Sequence, residues 1–241
     1  MSGATLDVLW HDLECGGYDV DLPLWRELAE REGSPVLDVG AGTGRVALDL
    51  ARRGHQVVAL DRDGALLGAL RERGAEVPVT TVEADARAFD LGRKFPLILV
   101  PMQTVQLLGG PDGRARFLER ASAHLAPGGL LAAALADALE AFDAEHDVPP
   151  MPDLREVAGV VYASRPVAVR DLGDRAAIER IREVVTSDGT RTVSDDVVEL
   201  DRVDAETLVA EAGAFGLRAE APRRLTPTLE YVGSTVVMLR A

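Results

Sequence analysis

The sequence predicts an α/β protein with a doubly wound parallel sheet, followed by an antiparallel β insertion. Between residues 34 and 137, short apolar runs alternate with helical patterns. Such alternation is typical of a parallel sheet that is covered by helices on both faces. A glycine-rich loop directly follows the first apolar run, and beyond Pro152 the chain changes to long strand-like segments.

The predicted strands of the first part are short apolar runs, most of them rich in β-branched residues and bounded by glycine or proline. They cover residues 36–39, 57–60, 77–82, 95–100 and 130–135. Three amphipathic helices are predicted over 45–53, 65–73 and 114–125, and glycine follows each of them. Ligands of such sheets bind beyond the carboxyl ends of the strands, where the glycine-rich loop lies.

The second part is predicted as an antiparallel meander after the fifth strand. Its strands cover residues 157–163, 166–171, 176–186 and 190–203, and the run Ser187-Asp188-Gly189-Thr190 favours a hairpin turn. A helix over 204–215 and strands over 217–221 and 234–239 complete the sheet. We interpret the chain as one domain, with an N-terminal lid and helix (1–33), a cofactor-binding core (34–137), an insertion (150–203) and a closing segment (204–241).

Composition restricts the possible partners. The formal net charge of −14 disfavours nucleic acid and anionic membranes, because both repel an acidic protein. The longest apolar run, 130–136, is far below the roughly 18 residues of a membrane span. One cysteine, Cys15, provides neither a disulfide nor a cysteine metal site, and the first ten residues do not resemble a signal peptide. We therefore expect a cytoplasmic protein without a bound metal.

The glycine loop narrows the choice of cofactor. Gly40, Gly42 and Gly44 follow Asp38, and a second carboxylate, Asp61, ends the next predicted strand. Dinucleotide-binding loops have the pattern G-x-G-x-x-G/A, whose third position would fall on Arg45. Since that position normally needs a small residue, a dinucleotide fits poorly. An NAD(P)-dependent oxidoreductase remains an alternative.

The run "LDVGAGTGR" (37–45) resembles the first motif of the class I S-adenosylmethionine-dependent methyltransferases. Further segments resemble that family in the expected order: "VEADARAFDL", "FPLILVPMQTVQLLG", "FLERASAHLAPGGLLAAAL" and "DAETLVAEAGAFGLRAE". The resemblance covers about 150 residues. It implies a Rossmann-like sheet and S-adenosyl-L-methionine as the cofactor.

The resemblance also implies roles for individual residues. Asp38 would attract the ammonium group of the cofactor. Asp61 would accept hydrogen bonds from both ribose hydroxyls, and Asp85 would accept one from the adenine amino group. Tyr18 lies in a Tyr-Asp-x-Asp segment similar to the lid of small-molecule methyltransferases, where it would contact the methionine carboxylate. The full set of implied cofactor-binding residues is Tyr18, Asp38, Gly40, Ala41, Gly42, Gly44, Asp61, Arg62, Asp85, Ala86, Pro101, Met102 and Gln103.

The fourth motif and the histidines bear on the methyl acceptor. Methyltransferases of nucleobase amines carry Asp/Asn-Pro-Pro-Tyr/Phe where this chain has Val100-Pro101-Met102-Gln103. We therefore expect a small-molecule acceptor, methylated on nitrogen or oxygen and less readily on carbon. No base is evident; His11 and His146 are the candidates. A catalytically silent cofactor-binding protein, acting as a regulator or a cyclisation scaffold, is a further alternative. We expect a monomer or a homodimer.

Overall fold

A computed structural model describes residues 3–136, 139–147, 150–228 and 232–241. Two helices begin the chain, α1 (Gly3–Cys15) and α2 (Leu22–Glu32). The first of them occupies most of the segment predicted as a lid. None of the helices in the described ranges combines the length and the apolar character that a bilayer crossing requires.

The central sheet has seven strands with helices packed on both faces. Its strands are β1 (Val36–Val39), β2 (Val57–Asp61), β3 (Val79–Glu83), β4 (Phe95–Val100), β5 (Leu125–Ala136), β11 (Arg218–Leu225) and β12 (Ser234–Arg240). The helices that connect them are α3 (Arg45–Arg52), α4 (Gly64–Arg73), a 3₁₀ turn (Thr104–Leu107), α5 (Gly110–His124) and α6 (Ala205–Gly213).

The strand order is β11-β12-β5-β4-β1-β2-β3. Strands β1 to β5 are parallel, whereas β12 runs antiparallel to both of its neighbours. The order reverses between β1 and β4, so their carboxyl ends open a crevice of the kind that holds ligands in such sheets. The doubly wound α/β fold expected from the sequence is confirmed.

An apolar core lies on each face of this sheet. One contains the fully buried Phe95 and Phe117 with α5 and α6, and the other contains Trp25 and Leu28 of α2. All four residues of β1 are buried. Burial on both faces explains why these strands appear in the sequence as continuous apolar runs rather than as alternating patterns.

The expected antiparallel insertion is also confirmed, as a separate sheet. It contains β6 (Phe142–Asp143), β7 (Asp153–Val157), β8 (Val160–Asp171), β9 (Arg175–Val185) and β10 (Arg191–Asp201). The order is β10-β9-β8-β6, and β7 pairs with β8.

Two strands differ from the expectation. The segments 157–163 and 166–171 were expected as separate strands, but most of their residues form the single strand β8. The pairing register of β8 shifts between Pro166 and Ala168. This irregularity accommodates Pro166, which has no backbone N–H to donate to the neighbouring strand. Strand β5 was expected to begin at residue 130, after two glycines. It begins at Leu125, because Leu125 already pairs with Phe95 of β4.

Candidate active site

A cavity of about 430 Å³ opens at the carboxyl ends of β1, β2 and β4. The ends of these strands and the loop after β3 form one side, and the 3₁₀ turn contributes to the wall. Helix α1 and strands β9 and β10 of the second sheet form the other side. The cavity therefore lies between the two sheets, with α1 beside it.

Most of the implied cofactor-binding residues meet in this cavity. The lining includes Asp38, Gly40, Ala41, Asp61, Arg62, Asp85, Ala86, Pro101, Met102 and Gln103, together with the candidate base His11. Tyr18, Gly42, Gly44 and His146 are not part of the lining. The individual roles of all these residues remain predictions.

The glycine loop has a left-handed backbone, with φ of 74° at Gly40, 55° at Gly42 and 95° at Gly44. A Cβ on Gly40 would lie 2.6 Å from the Thr104 side chain, and one on Gly42 would lie 2.5 Å from the His11 imidazole. Each contact is far below van der Waals distance. Glycine at positions 40 and 42 therefore permits the tight turn of the loop and also leaves space for the Thr104 and His11 side chains.

Asp61 joins the end of β2 to this loop. Its Oδ2 accepts the backbone N–H of Gly42 at 2.8 Å, and its Oδ1 accepts that of Asp63 at 2.9 Å. Each carboxylate oxygen has a further lone pair. The half-buried carboxylate in the cavity wall is therefore fixed in position and can still accept two hydroxyl groups.

Asp38 is the most unusual group in the cavity wall. Its side chain is 1% exposed, and neither carboxylate oxygen has a hydrogen-bond partner among the described residues. Burial raises the pKa of Asp38 to about 7, nearby Asp61 adds to the shift, and Arg45 opposes it. An unpaired buried carboxyl group of this kind is stabilised by a cationic donor. It therefore fits a ligand that carries an ammonium group.

Arg45, the residue that does not fit a dinucleotide-binding loop, binds the segment from Tyr18 to Asp21 before α2. Its Nη1 and Nη2 donate to Asp21 at 2.5 and 2.8 Å, and Nη1 also donates to the carbonyl of Tyr18 at 2.7 Å. Trp25 Nε1 donates to the same carboxylate at 2.7 Å. Sequence reasoning missed this pair, although Asp21 is the second aspartate of the Tyr-Asp-x-Asp segment.

Tyr18 is packed into this network. The Arg45 guanidinium lies 5.2 Å from the ring centroid, and the tyrosine is 5% exposed. Burial raises the pKa of its phenol, and the nearby Asp21 acts in the same direction. The structure thus places Tyr18 beneath Arg45, which itself lines the cavity.

The Asp85 carboxylate is already engaged. Arg87 Nη2 donates to it at 2.6 Å, and the Arg87 backbone N–H donates at 2.8 Å. The hydrogen bonds from the Arg87 side chain are the main reason that the pKa of Asp85 falls to about 2. Asp85 is a fixed anion at the cavity rim, and its side chain is 40% exposed.

The segment after β4 continues the wall beside the glycine loop. Met102 adopts a left-handed φ of 54°, which is uncommon for a residue other than glycine. Thr104 Oγ1 donates to the Pro101 carbonyl at 3.1 Å, and its side chain fills the space at Gly40. The fourth-motif residues and the glycine loop are therefore packed against each other.

The two candidate bases differ in position. His11 lies against Gly42, with Nδ1 3.4 Å from Thr43 Oγ1, and burial lowers its pKa. It is therefore a neutral imidazole at pH 7, able to accept a proton. His146 is exposed and lies near Asp143 and Glu145 in the turn after β6, on none of the described walls of the cavity.

Comparisons with known proteins agree with this site. A family model described as a methyltransferase domain matches residues 36–129, which include the glycine loop, Asp61 and the fourth motif. Residues 36–129 thus match a methyltransferase domain. The resemblance found in the sequence is thereby confirmed.

Relatives extend the similarity beyond this domain. The cypemycin N-terminal methyltransferase of a Streptomyces species is 28% identical over 163 residues. That match spans 68% of this chain and 64%, less than two thirds, of the relative. The family model and this relative are methyltransferases, so the oxidoreductase alternative gains no support.

Two solved structures share the fold of this chain over nearly its whole length. The amino pentose methyltransferase CalS10 of Micromonospora echinaspora, bound to S-adenosylmethionine, has a TM-score of 0.72 and 24% identity, with 100% of this chain and 98% of that chain covered. The sugar N-methyltransferase KedS8 of a Streptoalloteichus species has a TM-score of 0.73 and 20% identity, with coverage of 98% and 93%.

Proposed function

We propose that this methyltransferase transfers a methyl group from S-adenosyl-L-methionine to a nitrogen or oxygen atom of a small molecule. One observation carries the cofactor assignment: the unpaired carboxyl of Asp38 and the acceptor lone pairs of Asp61 share one cavity beside the glycine loop. The cofactor presents the two matching groups, an ammonium and a ribose diol. When bound, it supplies a methyl group activated by a sulfonium centre.

The protein's own residues position the reactants. Asp61 is held by two backbone amides, and Asp38 is held in a buried strand, so neither group needs to reorganise when a ligand enters. Alignment of the acceptor with the methyl group supplies much of the acceleration in such transfers. Helix α1 and the second sheet cover one side of the cavity.

Nitrogen is the atom that the site favours. The relatives include an N-terminal methyltransferase, an amino pentose methyltransferase and a sugar N-methyltransferase. An amine needs only to lose its extra proton before attack, whereas carbon acids and most hydroxyl groups need a stronger base. His11 in the cavity wall is the candidate acceptor of that proton, and the carboxylates of Asp12, Asp61 and Glu14 partly offset the burial that disfavours its protonated form. We therefore favour a small amine, which agrees with the acidic character of the chain.

The test has two stages. Calorimetric titration with S-adenosylmethionine and S-adenosylhomocysteine measures cofactor binding, and no binding of either at millimolar concentration contradicts the proposal. Release of S-adenosylhomocysteine is then followed over a panel of amines, alcohols and phenols. Binding without any transfer across the panel favours the catalytically silent protein. Sedimentation of the same sample decides between the monomer and the homodimer.

A further inference from the structure

Arg182 is the one arginine that β9 contributes to the cavity wall within the described part of the chain. Its Nε and Nη2 each donate to Glu14 of α1 at 2.8 Å. Its Nη1 lies 2.9 Å from Oδ1 of Asp196 on β10. These contacts fix the guanidinium between α1 and the second sheet, and its side chain is 20% exposed.

The surroundings of Arg182 differ from the cofactor side of the cavity. The guanidinium lies 5.4 Å from the ring centroid of Trp10, which packs edge-on against Tyr162. Trp10 and Arg182 both line the cavity, and both lie outside the matched methyltransferase domain. This end combines an aromatic residue with one fixed cation, and a small-molecule site commonly joins apolar or aromatic walls to a few placed polar groups in this way.

Arg182 retains hydrogen-bonding capacity. A guanidinium has five N–H donors, and the contacts with Glu14 and Asp196 engage at most three of them. Two carboxylates already balance its charge, and Asp7 adds a further carboxylate to the lining. An additional anion would therefore meet a net negative environment, whereas a neutral oxygen would meet a donor without such repulsion.

We propose that Arg182 determines acceptor specificity by donating a hydrogen bond to a neutral hydroxyl or carbonyl oxygen of the amine substrate. This inference rests on the proposed function. The acceptor would lie against Trp10, with its oxygen at Arg182 and its amine directed towards the carboxyl ends of β1 and β4. A hydroxylated or carbonyl-bearing amine is therefore the chemical class that this end of the cavity selects.

The test uses three matched amines with the full-length protein saturated with S-adenosylhomocysteine. Dissociation constants for trans-4-aminocyclohexanol, cyclohexylamine and trans-4-aminocyclohexanecarboxylate are measured by ligand-observed NMR. We expect the alcohol to bind about tenfold more tightly than cyclohexylamine, the ratio that one hydrogen bond to a charged donor provides. The carboxylate is expected to bind no more tightly than cyclohexylamine.

Arg182→Lys keeps the charge opposite Glu14 and removes the planar donors, so the ratio between alcohol and amine should fall to about one. Glu14→Gln/Arg182→Met, which removes both charges and the guanidinium donors together, should give the same loss if the lysine variant folds poorly. Arg191→Lys is the control, because Arg191 lies in the same sheet, pairs with Glu183 at 2.6 Å and does not line the cavity.

Two results would overturn this assignment. One is that trans-4-aminocyclohexanol binds the parent protein no more tightly than cyclohexylamine does. The other is an Arg182→Lys variant that, like the Arg191→Lys control, leaves the ratio unchanged, because a purely structural role would weaken all three amines alike. Affinity of the parent for S-adenosylhomocysteine is measured first, so that failure of the cofactor site is distinguished from failure of Arg182 alone.

Discussion

The carboxylate of Asp61 accepts the backbone N–H of Gly42 at 2.8 Å and so connects the end of β2 to the loop after β1. The residue assigned to the cofactor ribose therefore also holds the glycine loop in place. Asp63, two residues later, has a different task. It caps α4 by accepting the N–H groups of Ala65 and Leu66 at 2.8 and 3.1 Å.

Asp61→Ala should lower the affinity for S-adenosylhomocysteine roughly tenfold to a hundredfold, because a hydrogen bond to a charged group contributes about 1.5–3 kcal/mol. Asp63→Ala should instead lower the free energy of unfolding by about 1 kcal/mol through loss of the helix cap. Its effect on affinity should be smaller. Calorimetry and urea denaturation of both variants measure the two quantities, and a larger loss of affinity in Asp63→Ala would show that the site is placed two residues out of register.

Cofactor binding should depend on pH through Asp38. Burial raises the pKa of this carboxyl to about 7, while Asp61, Asp21 and Arg45 are the charged groups that act on it. A bound ammonium stabilises the ionised form, so binding below pH 7 must release the proton. Affinity should therefore fall as the pH is lowered from 8 to 6, by at most about tenfold per unit. Titrations in two buffers of different ionisation enthalpy count the released proton.

Asp38 also makes the stability of the ligand-free protein depend on pH, and here the effect has the opposite sign: stability decreases as the pH rises. The folded state holds the Asp38 proton up to about pH 7, whereas the unfolded chain loses it near pH 4. Its contribution to stability therefore decreases as pH rises between these values. Asp38→Asn should remove both pH dependences and bind the cofactor weakly throughout. Identical pH profiles for parent and variant would contradict this account.

Arg45→Met should destabilise the fold by about 3–5 kcal/mol, because it leaves the buried Asp21 carboxylate without its counter-ion. Arg26→Met is the matched control. Arg26 makes an equally well-formed pair with Asp49, at 2.7 and 2.8 Å, but its side chain is 30% exposed against 12% for Arg45, so water screens these charges more. Urea denaturation should show a far larger loss of the free energy of unfolding in Arg45→Met than in Arg26→Met. Similar losses in the two variants would mean that the Arg45–Asp21 pair does not stabilise the buried carboxylate.

Gly40→Ala should destabilise the protein more than Gly54→Ala. Both glycines have a left-handed φ, of 74° and 91°, so both substitutions incur backbone strain of roughly 1–2 kcal/mol. A Cβ at Gly54 meets nothing within 4 Å, whereas one at Gly40 overlaps the Thr104 side chain. Thr104→Ala in the Gly40→Ala background should recover part of the difference in thermal denaturation. No recovery would show that the backbone alone demands glycine there.

Local signals explain what the sequence could predict. Apolar runs bounded by glycine located the strands of the central sheet, and the carboxylates at strand ends, Asp38 and Asp61, followed from that placement. The charge pairs could not be predicted in this way. Glu14 and Arg182 are 168 residues apart, and the chain has 40 acidic and 26 basic residues, so their pairing depends on how the second sheet packs against α1. Trp10 and Arg182 became neighbours in the cavity only through that packing.

The attachment of α1 determines what a displacement of this helix would expose. Polar contacts hold it on the cofactor side, where Asp12 binds Arg73 at 2.5 and 2.9 Å and Thr43 at 2.8 Å. On the side of the second sheet, Leu9 and Trp10 are buried in an apolar cluster with Tyr162. An opening of the cavity along α1 would therefore break charged contacts on one side and bring apolar surface into water on the other.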